Sequence, residues 1–115
     1  MTRAAAGNGL PVDFFVRLIW QESRFNPHAV SPKGAMGIAQ FMPGTASGRG
    51  LSDPFDPMEA LHESASYLRE LRTTFGGSLG LAAAAYNAGP SRVEGWLAGT
   101  RSLPAEPAAY VRTVT

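Results

Sequence analysis

Cysteine is absent from the 115 residues, which excludes thiol catalysis, disulfides and zinc sites built on thiolates. It says little about compartment, because many exported domains lack cysteine too. Histidine is scarce: His28 and His62 are too few and too far apart to suggest a metal cage, and no cofactor is expected. Runs of one charge are missing. Ten basic and nine acidic residues give a formal charge of +1 and are spread along the chain, so nothing points to a polyanionic partner and nucleic acid is disfavoured. No apolar stretch approaches the roughly 18 residues of a membrane span. The opening "MTRAAAGNG" lacks the apolar core of a signal peptide, so an export signal, if the protein has one, is expected outside this chain. No stretch of strand length alternates apolar with polar residues, and there is no internal repeat, low-complexity tract or dividing linker.

What is present is helical spacing broken by glycine and proline. A chain of this length, 44% hydrophobic, fits one compact domain burying roughly two thirds of its unfolded surface. The first helix is expected to start near Pro11 and end before Asn26 and Pro27, with Phe15, Leu18, Ile19 and Glu22 on one face. Between Phe25 and Asp53 the density of Pro and Gly leaves room only for turns or short helical pieces. "DPME" reads as a helix start, with Asp56 as cap, Pro57 first and Glu59 three residues after the cap. Leu61, Ala65, Leu68, Leu71 and Phe75 continue it, and Gly76 and Gly77 stop it. A third helix, Leu79 to Tyr86, is almost all Ala and Leu and is expected to be buried on most sides; shorter ones fit Ser91 to Leu97 and Pro107 to Val114. The fold class is all-α or nearly so.

Glu22 is the anomaly, a carboxylate on an apolar face just before a shaped loop. It could be a structural helix-end group paired with Arg24. Partial burial, however, disfavours the charged form and lifts a Glu from about 4.3 toward the 6 to 7 of a general acid. Ordinary glycoside hydrolysis uses two carboxyl groups, and the next acidic residues, Asp53 and Asp56, read as turn and cap residues. One Glu serving as acid and then base, with the substrate supplying the nucleophiles, fits better.

Three segments, "ESRFNPHAVSPKGAMGIAQFMPGTA", "AAYNAGP" and "LPAEPAAYV", resemble in order and spacing the motifs of the soluble lytic transglycosylase catalytic domain, a bacterial family with a lysozyme-like fold related to goose-type lysozyme. The resemblance covers about residues 10–113. It implies a single catalytic domain over 1–115, within a longer exported protein of the periplasm or cell envelope. It also implies cleavage between N-acetylmuramic acid and N-acetylglucosamine with a 1,6-anhydromuramyl product, and Glu22 as the acid and base. Ser31 matches a serine near the muramyl N-acetyl group, although a loop Ser before Pro32 also makes local turns. Gly34 and Gly37 match glycines that let the backbone pass close to sugar, or that only turn the chain. Gln40 and Met42 resemble a substrate-cleft pair, an amide for sugar polar groups and a thioether lining the pocket, with core filling the alternative for Met42.

Tyr86 is expected to orient groups or stabilise the intermediate, and Asn87 to line or support the cleft, a helix cap by Asn87 or Gly89 being the structural alternative. Glu106 matches a glutamate near the cleft, or is a helix-start charge. Tyr110, Trp20 and Trp96 are expected to pack, the two Trp with sugar stacking as the alternative. Ala39 and Phe41 depart from the bulkier or aliphatic residues usual in "GLMQIMP"-like segments, a change that reshapes subsites without touching the acid. The implied partners are peptidoglycan glycan strands and, beyond them, cell-envelope or secretion-apparatus proteins, with the chain itself a monomer. Two other functions stay open at this point, a lysozyme-like hydrolase and an inactive peptidoglycan-binding domain.

Overall fold

The structure, a computed structural model, describes residues 1–99 and 105–115, except the side chains of 105 and 106. Among the described residues, seven helices run in the order α1 (Thr2–Gly7), α2 (Val12–Ser23), α3 (Pro43–Gly48), α4 (Pro57–Thr74), α5 (Leu79–Ala88), α6 (Pro90–Leu97) and α7 (Ala105–Val114). Among the described residues the only strand-like pairings are two isolated bridges, Val30 with Met36 and Met36 with Phe41. The all-α expectation holds. The chain groups into two compact units, Met1–Ser66 and Tyr67–Thr115, and α4 contributes its first half to one and its second half to the other.

In the first unit, Pro11 flanks α2 and its carbonyl accepts the first helical hydrogen bond, from Phe15 N–H at 3.1 Å. Phe14, Phe15, Leu18 and Ile19 are buried, and α1 packs against α2. The α1 helix was not expected, since "TRAAA" carries no apolar stripe beyond its alanines. The start of α4 agrees only in part with the cap expected from "DPME". Asp56 Oδ1 accepts from the N–H groups of Met58 and Glu59 at 3.0 and 3.4 Å. The Glu59 carboxylate reaches Ser52 instead of Asp56, accepting from its N–H and Oγ–H at 2.8 and 2.7 Å. Beside it, Arg49 and Glu63 form an ion pair at 2.7 Å, so the segment between α3 and α4 is tied to α4 at two points.

In the second unit, α4 ends where sequence placed its stop. Gly76 and Gly77 take positive φ, and Gly77 N–H donates to the Arg72 carbonyl at 2.7 Å. Ser78 caps α5, its Oγ accepting from Leu81 N–H at 3.0 Å. Ala82, Ala83, Ala84 and Ala85 are all buried, as an almost wholly Ala and Leu helix should be, because α6 and α7 both pack on α5. Leu71, Ala82, Ala84, Ala85 and Val93 form the core there, with Tyr67, Phe75, Leu81, Tyr86 and Val111 against it.

Candidate active site

Glu22 stands in the last turn of α2, three and four residues beyond Ile19 and Leu18 on the face they bury, and is itself half-buried. The helix stops at once afterwards. Arg24 and Phe25 both adopt left-handed backbone, φ 55° and 64°, a region that costs a non-glycine residue roughly 1–2 kcal/mol. Arg24 N–H closes the helix on the Trp20 carbonyl at 2.9 Å. Its guanidinium lies 5.2 Å from the Trp20 ring centroid, and Phe25 meets that ring edge-on at 5.1 Å. Trp20, expected in the core, is 44% exposed. It sits two residues before Glu22, and at about 100° per residue that turns it away from the buried stripe.

Ser23, which the sequence reading did not single out, is buried at 8% exposure. Its Oγ lies 2.6 Å from the Ile38 carbonyl oxygen and 3.4 Å from that of Ile19. A small polar residue four positions after Ile19, continuing the buried face, was the available signal.

Ile38 belongs to the segment from Asn26 to Met42, which backbone hydrogen bonds fold on itself. Met36 and Phe41 exchange N–H···O bonds at 2.9 and 3.1 Å, and Gly37 N–H donates to the Ala29 carbonyl at 2.8 Å. Ser31 makes the local turn weighed as its structural alternative: Ser31 N–H donates to the Ala35 carbonyl, and Ser31 Oγ accepts from Ala35 N–H, both at 2.9 Å. As an acceptor there, the hydroxyl keeps its own hydrogen for another partner. The close approach that Gly37 permits is to the chain's own backbone. With φ +78°, a Cβ at this position would lie 1.9 Å from the Pro54 carbonyl oxygen.

Gln40, at φ 57°, donates its side-chain amide to the Ala29 and Gly37 carbonyls at 3.2 and 2.8 Å. The amide nitrogen thus holds the loop, and Oε1 is the end left to accept. Met42 is 43% exposed at the start of α3, which removes the core-filling alternative. Ser31, Gly37 and Gln40 are therefore gathered in one hydrogen-bonded segment, tied through Ile38 to the residue after Glu22. Asp53 and Asp56 are exposed, and each uses Oδ1 for a local turn, accepting from Phe55 N–H at 2.9 Å and Met58 N–H at 3.0 Å. That is the role expected of them.

In the second unit, Tyr86 and Asn87 lie in the last turn of α5, both half-buried. The Tyr86 ring tilts against Tyr67, centroids 5.7 Å apart. The cap belongs to Gly89, at φ 95°, whose N–H donates to the Ala85 carbonyl at 2.8 Å; Asn87 is inside the helix and does not cap it. Tyr110 is buried, as expected. Trp96, expected in the core, is 40% exposed, because Val93 takes the buried face of α6. It helps to line an apolar pocket of about 360 Å³ with Leu81, Ala84 and Val111. Glu106 falls in the first turn of α7, and its side chain lies outside the described residues. Among the described residues, no group of three or more His, Asp or Glu is placed to hold a metal ion, and no helix is long and apolar enough to cross a membrane.

The sequence matches the family described as "Transglycosylase SLT domain" over residues 1–108. It is 35% identical over 122 aligned positions to the soluble lytic murein transglycosylase of Escherichia coli K12, covering 97% of this chain and 19% of that relative. It is 34% identical to the transglycosylase of Enterobacteria phage PRD1, covering 88% of this chain and 37% of that one. A solved structure of an inactive mutant of the lytic transglycosylase Slt from Pseudomonas aeruginosa superimposes with a TM-score of 0.86 at 34% identity, over 98% of this chain and 22% of the other. The chain thus spans about a fifth of the length of its Escherichia coli relative.

Proposed function

This chain belongs to the transglycosylase SLT domain family, and from that premise we propose that it works as a single catalytic domain cleaving peptidoglycan glycan strands. The bond broken is the β-1,4 link between N-acetylmuramic acid and N-acetylglucosamine, and the setting is the periplasm or cell envelope. Glu22 gives its proton to the glycosidic oxygen as the bond to muramyl C1 breaks. The muramyl acetamido oxygen closes on C1, giving an oxazolinium. The Glu22 carboxylate then takes the proton of the muramyl C6 hydroxyl, whose oxygen displaces the acetamido oxygen from C1. The products are an N-acetylglucosamine end and a 1,6-anhydromuramyl end, with no water consumed and Glu22 returned to its acid form.

The observation that carries this reading is the half-buried Glu22 at the end of α2, facing chemistry for which Asp53 and Asp56, held in their turns, offer no second carboxylate. Ser31, Gln40 and Met42 are assigned to sugar and acetamido contacts, Gly37 to shaping the loop that makes them, and Asn87 and Glu106 to supporting the substrate. The Tyr86 hydroxyl is assigned the stabilisation of charge on the intermediate, a role of the kind worth about 10²-fold or more in rate.

Mass spectrometry of muropeptides released from purified sacculi tests the proposal. The wild-type chain should release products one water lighter than reducing-end muropeptides, and Glu22→Gln none. Reducing ends formed by the wild type would replace transglycosylation with hydrolysis, and turnover retained by Glu22→Gln would remove Glu22 as the acid. In the same assay Tyr86→Phe keeps its ring contact with Tyr67 and should fold normally while losing roughly 100-fold in rate; an unchanged rate removes Tyr86 from the mechanism.

A further inference from the structure

We propose that Ser23 is a positioning residue for Glu22, its buried hydroxyl fastening the end of α2 to the segment that carries Ser31, Gly37 and Gln40. This rests on the assignment of Glu22 as the acid. A serine hydroxyl has one hydrogen to give. Of the two carbonyls within reach, Ile38 at 2.6 Å takes it in preference to Ile19 at 3.4 Å. The bond therefore runs across fifteen residues of sequence, from helix to loop, and not back along the helix as a helical serine commonly bonds.

Both ends of the bond are shielded from water, since Ser23 and Ile38 are each buried. Neither group has solvent to fall back on if the other is removed. The position matters because α2 ends at Ser23. The next two residues, Arg24 and Phe25, leave in left-handed backbone, so the last helical turn is held at Ser23 immediately before the strained exit.

Ser23 touches no substrate in this account. It acts by setting where the neighbouring carboxyl stands relative to the loop that would hold the sugar. A general acid has to lie about 2.6–3.2 Å from the oxygen it protonates, and an error near 1 Å costs on the order of 100-fold in rate. Loss of the tie should thus appear in turnover more than in substrate affinity.

The test is steady-state kinetics on soluble glycan strands of defined length, with anhydromuramyl ends counted by mass spectrometry. Ser23→Ala is expected to lower kcat about 30- to 100-fold with KM changed less than about threefold. Ser52→Ala, which removes a hydroxyl bond to Glu59 and so lowers the melting temperature while lying outside α2 and the Asn26–Met42 segment, should leave kcat within about twofold. A folded Ser23→Ala with wild-type kcat, or a Ser52→Ala as slow as Ser23→Ala, overturns the proposal. If Ser23→Ala does not fold, Ser23→Cys decides, being of similar size but a weak donor: lowered kcat with native KM supports the tie, and wild-type kcat overturns it. Glu22→Gln in the same series separates the two levels. If that variant still makes anhydromuramyl ends, the assignment of the acid fails; if it is inactive while Ser23→Ala is fully active, only the role of Ser23 fails.

Discussion

Gly34 and Gly37 stand three residues apart in one loop, both with positive φ, yet they should respond differently to a methyl group. At Gly34 an added Cβ would meet open space, so Gly34→Ala carries only the backbone penalty, roughly 1–2 kcal/mol. At Gly37 the same atom would lie 1.9 Å from the Pro54 carbonyl oxygen, and main chain has to move. Urea denaturation should show Gly37→Ala less stable than wild type by roughly 3 kcal/mol or more; equal losses at the two positions would refute the close approach. Sequence alone treats the two glycines alike, because the neighbour that distinguishes them lies well along the chain. Gln40 was legible as a candidate, but not what its amide holds: with left-handed backbone, it donates to the Ala29 and Gly37 carbonyls. Trp20 was legible and misjudged, since helical spacing already put it off the stripe of Phe15, Leu18 and Ile19.

Helices bounded by strong punctuation were readable from sequence, as with α2 after Pro11, α4 between Pro57 and Gly76, and α6 after Pro90. The tie between α4 and the preceding segment was not. Glu59 was expected to bond back to the cap, but accepts from Ser52, and these bonds, the hydroxyl first and then the backbone N–H, hold its carboxyl below the ordinary carboxylate range. A folded-state pKa below the unfolded value means that the ionised form is the one stabilised. The contribution is therefore fully present above the unfolded value of about 4.3 and is lost as pH falls through the lower folded value. Ser52→Ala should raise the Glu59 pKa toward the ordinary range in an NMR titration. The melting-temperature gap between this variant and wild type should narrow as pH drops through that window; a gap that widens in acid would contradict the assignment.

Over the whole molecule, the helical class and the candidate catalytic motifs were legible because local spacing and motif order carry them. The grouping into two units was not, because Leu61, Ala65, Leu68 and Leu71 run through α4 at unbroken helical spacing, with no glycine or proline at Ser66 or Tyr67 to mark a boundary. The second unit is organised by α5, whose four consecutive buried alanines have a further consequence. Alanine has no rotamers to surrender, so burying these side chains costs essentially no side-chain entropy. Nor do these four positions have rotamers with which to adapt: a neighbour that shifts against them cannot be followed by a torsion flip, and must be met by sliding or tilting α5 as one piece. Tyr86 and Asn87 are thus carried at the tip of a stiff rod, and a disturbance anywhere along its packed length reaches them as displacement rather than being absorbed on the way.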